Sequence, residues 1–289
     1  MKSSKLPYVI FFDIDGTLIG DIAAQVCEWS LLKTYDSGKL SQFKKNLIVQ
    51  LSHGLLRPNL SNYIDFLKMR HDRSELYIYT ASDPKWAAFL IPCIEAVSGV
   101  KFNRPIFARN HCLIVNQEIK KSLAKVLPKV LVKLKREYES ISLSDLKHQS
   151  ILIDNNHVLL KNESSKCILC PSYTYSEMYD STRLISEDIL HNNFVEISMV
   201  LATYGMFPNI SNTKQFSYQV FKALYFNNLG KNITTSISQL KLNDSSSSST
   251  VKKPDQFWNR LGSVMSKMEY TNLKDSVIRS INHGVSSKL

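Results

Sequence analysis

Two aspartates, Asp13 and Asp15, stand two residues apart at the end of a short apolar run that begins at Tyr8. On an extended chain, side chains two positions apart face the same way, so both carboxylates are predicted to point toward one site. Such a pair suits a reaction in which one carboxylate attacks as a nucleophile while the other moves protons. Gly16 then allows a sharp turn before Thr17. The sequence therefore indicates a two-carboxylate site near its start.

Two later apolar runs also end in polar side chains. The first leads into Thr80 and Ser82, and the second leads into Asp154 and Asn155. If all three runs are strands of an open parallel sheet, their ends meet at the edge where such sheets place ligands. Oxygen-rich side chains beside carboxylates suit a hard cation such as Mg²⁺. Taken singly, each pattern has a plainer interpretation, because hydroxyls often cap helices and polar turns often follow strands.

The run from Phe11 to Leu18, FFDIDGTL, resembles motif I (DxDGT) of the haloacid dehalogenase (HAD) superfamily. In that motif the first Asp is a phosphoryl-accepting nucleophile and the second is a general acid/base. The resemblance implies an α/β fold, a HAD-like Rossmannoid parallel sheet with helices on both faces. It also implies a small cap or flap insertion, here followed by a C-terminal helical extension. The alternative interpretation of the run is an Asp-Gly turn after a buried strand.

Further matches narrow this resemblance to the FCP/SCP-like, or NLI-interacting-factor-like, phosphatases of the RNA polymerase II C-terminal domain. The matches, over roughly residues 8–175, are Arg57-Pro58, Phe66-Leu67, Tyr79-Thr80-Ala81-Ser82, Arg109, Cys112, Lys121, Leu123 and Ile153-Asp154-Asn155. The family usually has Glu where this chain has Gly16. The resemblance implies a Mg²⁺-dependent phosphatase that forms an aspartyl phosphate and acts on phosphoserine or phosphothreonine in a protein.

The resemblance also implies a catalytic role for each of four residues. Asp13 would be the nucleophile, Asp15 the acid/base, and Thr80 a ligand of the phosphate. Lys121 would neutralise the charge of the transferring group, although the interval holds several lysines. Its alternatives are Lys120 and Lys125, while most lysines of this interval are expected on the solvated face of a helix.

The resemblance also implies a metal site and a substrate surface. Asn155 would complete a Mg²⁺ site beside Asp13 and the backbone carbonyl of Asp15. Asp154 would support that site from the end of its strand. The expected substrate-binding residues are Arg109, Gly16, Thr17 and Ser82.

Composition favours an intracellular protein, cytoplasmic or nuclear. The chain has 289 residues and 44% apolar residues, enough for a sizeable core. Its five cysteines are an odd number without framework spacing, which favours reduced thiols. Cys167 and Cys170 have CxxC spacing, but the run favours a strand over a zinc site. No targeting or membrane-spanning segment is apparent in the sequence, so we expect a soluble, non-secreted protein.

The net charge of +11 favours acidic partners. Residues 120–147 carry eight Lys or Arg and three acidic residues, near the expected site. A phosphorylated protein substrate fits this charge, and so does nucleic acid. Indeed FDxDGTLI also resembles the 3′-phosphatase module of polynucleotide kinase-phosphatases. A small-metabolite phosphatase and a non-catalytic scaffold of the same fold are the remaining alternatives, and the sequence does not give the oligomeric state.

The sequence also divides into regions of different character. We predict a HAD-like phosphatase domain over residues 1–207, with an insertion at about 19–56 that shapes access to Asp13 as a small cap. We predict a helical extension over 208–242. Residues 243–289 comprise a Ser-rich linker and a basic amphipathic tail. For the tail, docking to a partner and packing back on the domain both stay open.

Overall fold

A parallel sheet organises the part of the chain that contains the predicted motifs. The computed structural model describes residues 6–20, 22–70, 74–138, 140–173, 184–203, 217–222 and 255–266. The strands in these ranges are β1 (Tyr8–Phe12), β2 (Ser74–Ile78), β3 (Leu113–Val115), β4 (Glu118–Lys120), β5 (Ser150–Asp154) and β6 (Cys167–Leu169). Four of them form a parallel sheet in the order β2-β1-β5-β6, and β3 and β4 form a separate antiparallel hairpin.

Helices connect and flank these strands. They are α1 (Ala23–Tyr35), α2 (Leu40–Gln50), α3 (Leu60–Arg70), α4 (Pro84–Ser98), α5 (Leu123–Leu134), α6 (Leu143–Gln149), α7 (Glu187–Asn192), α8 (Phe194–Thr203) and α9 (Phe257–Ser266). Short 3₁₀ or π turns cover Ser37–Lys39, Leu51–Leu55, Arg109–His111 and Lys161–Lys166. A parallel sheet joined by helical crossovers confirms the predicted α/β class.

Strand β1 lies inside the sheet, where it pairs with β2 on one side and β5 on the other. Its last residue, Phe12, aligns with Ile78 of β2 and Ile153 of β5. The amide of Asp13 still donates to the carbonyl of Ile153 at 3.0 Å, so pairing continues one residue further. The residues that follow these three strands therefore emerge together at the carboxyl edge.

Aromatic side chains of the core pack close to the carboxyl ends of these strands. The Phe11 ring lies 5.7 Å from that of Tyr77, 6.2 Å from that of Tyr79 and 6.0 Å from that of Phe107, between centroids. All four side chains are fully buried. Burial of each aromatic ring contributes about 2 kcal/mol, and the tilted and edge-on contacts add specificity. The strand ends are therefore held by a rigid core.

The described structure divides into two compact units. The described residues of one unit fall within 1–20, 56–174 and 254–289, and those of the other fall within 21–55 and 175–253. The first unit contains the sheet and every predicted site residue. The second contains α1 and α2 from the predicted insertion, together with α7 and α8. Most of the predicted extension and all of the Ser-rich linker lie outside the described residues, apart from a helical stretch at 218–222.

Helix α9, from the predicted amphipathic tail, belongs to the first unit. It packs on α3, and its Trp258 and Leu261 side chains are buried. Within the described part of the chain, none of the helices has the length and apolar character needed to cross a membrane.

Candidate active site

The loop after β1 has a tightly bonded backbone. Three successive amides, those of residues 17, 18 and 19, donate to the carbonyl of Ile14 at 3.2, 2.9 and 3.1 Å. The amide of Gly16 donates to the carbonyl of Ile19 at 2.9 Å. Asp13 at the start of this loop is buried, with 6% of the residue exposed.

Lys121 joins two of the predicted carboxylates. Its Nζ donates to Oδ1 of Asp13 at 2.6 Å and to Oδ2 of Asp154 at 2.7 Å. Lys121 and Asp154 are each 1% exposed. Charge-assisted hydrogen bonds of this length in a buried setting are strong, and each partner depends on the others for its solvation. The three charges form one centre at the end of the sheet.

Electrostatics differ between the members of this centre. Burial lowers the pKa of Lys121, but Asp13 and Asp154 raise it by more, so its pKa lies above the usual lysine value. Burial raises the pKa of Asp154 to about 6, because it outweighs the opposing charge of Lys121. Lys121 is therefore cationic at neutral pH. On acidification, Asp154 takes up a proton well above the usual pH for a carboxylate.

Backbone bonds on both sides fix the position of Lys121. Its amide donates to the carbonyl of Val158 at 2.8 Å, and its own carbonyl accepts from the amide of Leu160 at 3.1 Å. Helix α5 begins two residues later, capped by Ser122 and by Glu163, whose carboxylate accepts from the amides of residues 123 and 124. The lysine side chain thus leaves from a rigid junction.

The two alternative lysines lie elsewhere. Nζ of Lys120 pairs with Glu118 at 2.6 Å on the β3–β4 hairpin, with 27% of the lysine side chain exposed. Nζ of the exposed Lys125 donates to the carbonyl of Cys112 at 2.7 Å. Neither contacts a carboxylate of the predicted site, so the geometry favours Lys121 for the role of charge neutralisation.

The segment after β2 contains two hydroxyl groups, and that of Ser82 contacts Asp15. Thr80 is fully buried, and its Oγ1 accepts from the amide of Ser82 at 3.1 Å. Oγ of Ser82 donates to Oδ2 of Asp15 in a very short hydrogen bond. The helix cap that we considered for these hydroxyls is instead made by Asp83, which accepts from the first amides of α4. Thr80 and Ser82 are therefore not occupied as caps of α4.

Arg109 lies against the same segment. Its amide donates to the carbonyl of Ser82 at 3.0 Å, and its Nε donates to the carbonyl of Ala81 at 2.7 Å. The side chain is exposed, so the outer nitrogens of the guanidinium face solvent. Anchored through Nε, this fork suits recognition of an anion on a bound substrate.

Asn155 lies directly over the loop that contains Gly16. The φ angle of Gly16 is +72°, and a Cβ there would lie 2.5 Å from Nδ2 of Asn155. This close approach explains why the Glu that the family usually has does not fit here without rearrangement. Oδ1 of Asn155 accepts from Oγ1 of Thr17 at 3.4 Å, and its Nδ2 donates to Oγ of Ser172 at 2.8 Å.

Acidic side chains could supply only some of the oxygen ligands of the predicted Mg²⁺ site, because several carboxylate oxygens at this edge are already hydrogen-bonded. Lys121 engages Oδ1 of Asp13, and no described residue hydrogen-bonds Oδ2. Both oxygens of Asp154 are engaged, one by Lys121 and one by the amide of Asn156 at 2.8 Å. Among the described residues, no three His, Cys, Asp or Glu side chains cluster as a metal site. A metal would therefore depend on Asp13, an amide oxygen and a backbone carbonyl, which are oxygen donors of the kind that Mg²⁺ prefers.

Sequence reasoning missed three contributors to this edge. Ser172 and Tyr173 lie just beyond β6, where the amide of Tyr173 donates to the carbonyl of Gly16 at 2.8 Å. Glu163 caps α5 from a distant turn. A serine or a glutamate in a polar loop carries no pattern of its own, so only the fold shows these contacts.

A parallel α/β sheet whose strand ends surround a buried lysine and two aspartates is the arrangement that the resemblance to HAD-like phosphatases predicts. The comparison with protein families agrees with this class and makes it more specific. A family model described as NLI interacting factor-like phosphatase matches residues 8–196. The chain belongs to this family of phosphoric monoester hydrolases, as the sequence resemblance predicted.

Two solved structures of Fcp1 are similar to the chain over 83% of its length, each with 13% sequence identity. One is described as the structure of Fcp1, an essential RNA polymerase II CTD phosphatase, with a TM-score of 0.34. The other is a fission yeast Fcp1 variant bound to beryllium fluoride, with a TM-score of 0.37. The chain spans just under two thirds, 66%, of each of those chains. No curated protein matches the chain.

Proposed function

We propose that this protein is a Mg²⁺-dependent phosphatase that removes phosphate from phosphoserine or phosphothreonine in a protein. The observation that carries the proposal is the buried contact of Lys121 with Asp13 and Asp154. A lysine held between two carboxylates at a sheet edge is costly to bury, and phosphoryl transfer provides a use for it. The family model supports the reaction class.

In the first step, an oxygen of Asp13 attacks phosphorus as the bond to the serine or threonine oxygen breaks. Asp15 donates its proton to that departing oxygen, which leaves as the free hydroxyl. The hydrogen bond from Ser82 to Oδ2 of Asp15 holds this carboxyl in one orientation. The product of the step is an aspartyl phosphate on Asp13.

In the second step, water attacks phosphorus and the bond to Asp13 breaks. Asp15, now ionised, takes a proton from the attacking water, so that inorganic phosphate leaves and both aspartates return to their starting states. Lys121 offsets the negative charge of the phosphoryl oxygens in both steps. Thr80 follows β2 two residues before Ser82, and we assign its hydroxyl group as a hydrogen-bond donor to a phosphoryl oxygen.

The metal is assigned to Asp13, the backbone carbonyl of Asp15 and Asn155. When bound, Mg²⁺ would stabilise negative charge on the phosphoryl group as a Lewis acid. Asp154 acts one contact away, since it holds Lys121 and the amide of Asn156. Ser172 orients Asn155 by accepting from its Nδ2, and the amide oxygen accepts from Thr17 and Asn156.

The substrate assignment depends on the surface beside the reacting groups. Arg109 is anchored to Ala81 and Ser82, with its outer nitrogens facing solvent. An exposed arginine in this place suits a phosphorylated protein segment, and the net charge of +11 agrees with an acidic substrate. The intracellular setting, cytoplasmic or nuclear, stays a prediction from the cysteine content.

The experiment is Mg²⁺-dependent release of phosphate from two substrates measured side by side. One is a phosphoserine peptide with the heptad of the polymerase II tail, and the other is a 3′-phosphorylated oligonucleotide. We expect the peptide to react faster, with no reaction by the Asp13→Asn protein. A faster reaction with the oligonucleotide would overturn the proposed substrate class. Equal rates of phosphate release by the parent and by the Asp13→Asn protein would overturn the proposed mechanism.

A further inference from the structure

Arg57 is a second buried cation in the unit that holds the active site. It is 1% exposed, and it pairs with Asp255, which lies 198 residues further along the chain. Nε and Nη2 of Arg57 donate to the two carboxylate oxygens of Asp255 at 3.1 and 2.9 Å. This bidentate geometry is the most specific that the guanidinium can form.

Arg57 also touches the active-site loop. Its Nη1 donates to the carbonyl of Thr17 at 3.4 Å, two residues beyond Asp15. The Tyr173 ring packs on the guanidinium at 5.4 Å, and the amide of Tyr173 donates to the carbonyl of Gly16 at 2.8 Å. Two neighbouring carbonyls of the loop are therefore fixed around one arginine.

The segment that carries Asp255 is firmly packed. Oδ1 of Asp255 also accepts from the amide of Phe257 at 2.9 Å, and the Phe257 ring covers the guanidinium at 4.6 Å. Trp258 is fully buried, and its ring stacks on that of Tyr63 at 5.1 Å and lies 5.9 Å from that of Phe12. Because Phe12 immediately precedes Asp13, the segment packs beneath the strand that leads into the site.

Asp255 supplies the negative charge that balances the buried guanidinium of Arg57. Among the described residues, Asp255 is the carboxylate that pairs with Arg57. A buried guanidinium without that partner would retain its charge, since arginine does not deprotonate in proteins. It would then move toward solvent or toward other acceptors. Either movement would change its contact with the carbonyl of Thr17.

We propose that Asp255 is a positioning residue of the active site, which acts through Arg57 on the loop that carries Asp15. The segment from Asp255 to Leu261 would then be part of the working phosphatase, although it lies far beyond the region of sequence resemblance. This inference rests on the proposed function, because the loop matters only if Asp15 moves protons in the reaction.

The test compares three variants of the full chain. Asp255→Asn keeps the size of the side chain and the acceptor for Phe257, but it removes the charge that holds Arg57. Asp255→Glu keeps the charge. The matched control is Glu95→Gln, since Glu95 forms a bidentate pair with Arg104 in the same unit, at 3.0 and 3.1 Å, without contacting the loop.

Two quantities are measured for each variant. The first is kcat and KM for the phosphopeptide, where Asp255→Asn is expected to lower kcat by about tenfold to a hundredfold with little change in KM. Asp255→Glu should recover part of that loss, and Glu95→Gln should keep the kcat of the parent. The second is hydrogen exchange of residues 13–19 by mass spectrometry, which should accelerate in Asp255→Asn and not in Glu95→Gln.

A double variant tests the route through Arg57. If Asp255 acts through this arginine, adding Asp255→Asn to Arg57→Lys should change kcat by less than about twofold. A full second loss of kcat would show that Asp255 acts by another route and would overturn the proposal. If Asp255→Asn does not fold, Arg57→Lys replaces it, because it breaks the bidentate pair from the other side. Hydrogen exchange of residues 13–19 in Arg57→Lys at the rate of the parent would then overturn the proposal.

The outcomes separate this inference from the proposed function. If the parent and Asp13→Asn release phosphate equally, the proposed function fails, whatever the Asp255 variants do. If only the parent is active and Asp255→Asn matches Glu95→Gln in both kcat and exchange, the positioning role alone fails.

Discussion

Two buried cations hold the active-site unit together, and their partners differ in an instructive way. Lys121 lies between Asp13 and Asp154, so its centre has one more negative than positive charge. Among the described residues, Arg57 has one carboxylate partner, Asp255, and aromatic rings pack against its guanidinium. The first centre keeps charge and an open oxygen for chemistry, whereas the second is neutral and closed. In the proposed mechanism, the first centre offsets charge during phosphoryl transfer, whereas the second positions the loop.

The largest effect should come from Lys121→Met, which leaves Asp13 and Asp154 buried together without a cation. We expect phosphate release to fall by about a thousandfold or more, because charge neutralisation is lost. The free energy of unfolding in urea should fall by about 3–5 kcal/mol at pH 8. That loss should be smaller below pH 6, where a proton can replace the lysine between the carboxylates.

The control for this change is its neighbour in sequence. Lys120→Met removes the same charge from a partly exposed pair with Glu118, so it should alter activity and stability little. Equal effects of the two substitutions would show that the buried centre has no special role.

A smaller effect is expected for Arg57→Lys, which keeps the charge but loses the bidentate fork. One of the two hydrogen bonds to Asp255 and the flat contact with Phe257 would be lost, at a cost of about 2 kcal/mol in the free energy of unfolding. Thermal and urea unfolding would measure it. An unchanged stability would mean that the closed geometry of this pair contributes nothing.

Asn155→Ala should act on metal binding more than on stability. Asn155 is partly exposed, and its side chain bonds are with Thr17, Ser172 and Asn156. We expect the Mg²⁺ concentration for half-maximal activity to rise at least about tenfold. Calorimetric titration of Mg²⁺ into the parent and the variant gives a second readout, and identical affinities would remove Asn155 from the metal site.

The smallest effect is expected for Lys129, an exposed lysine of α5 that differs from the two buried cations in its exposure to solvent. Burial, then Lys129 and then Lys125, lower the pKa of His111 below its usual value. The folded state therefore resists protonation of His111, and the stability it contributes is lost as pH falls below about 6.5. Lys129→Met should raise the pKa of His111, measured by NMR of the imidazole, and weaken this dependence. A lower pKa in the variant would contradict the assignment.

Three strands of the sheet were predictable because each apolar run ends in a recognisable polar group, whereas their order in the sheet was not predicted. Asp13, Thr80 and Asp154 follow strands that align in the sheet, as the sequence pattern indicated. The sequence alone did not distinguish Lys121 from the neighbouring lysines. The side chains of consecutive residues on an extended chain point to opposite sides, and the sequence does not show which side faces the site. The structure distinguishes Lys121, because its Nζ contacts Asp13 and Asp154.

Contacts between distant segments were not predictable. Asp255 follows a Ser-rich tract and has no periodic or motif context, yet it pairs with Arg57. The start of α5 at Leu123 also depends on a distant segment, because Glu163 accepts from the amides of residues 123 and 124 beside the cap from Ser122.

The central claim is that Asp13 becomes phosphorylated during turnover, and chemical trapping tests it most directly. Turnover of a radiolabelled phosphopeptide would be stopped with acid, and acyl phosphates would then be reduced with borohydride, which converts a phosphorylated aspartate to homoserine. The account predicts homoserine at position 13, with none in protein that received no substrate. An intact aspartate at this position under conditions of rapid turnover, or modification at another residue, would contradict it.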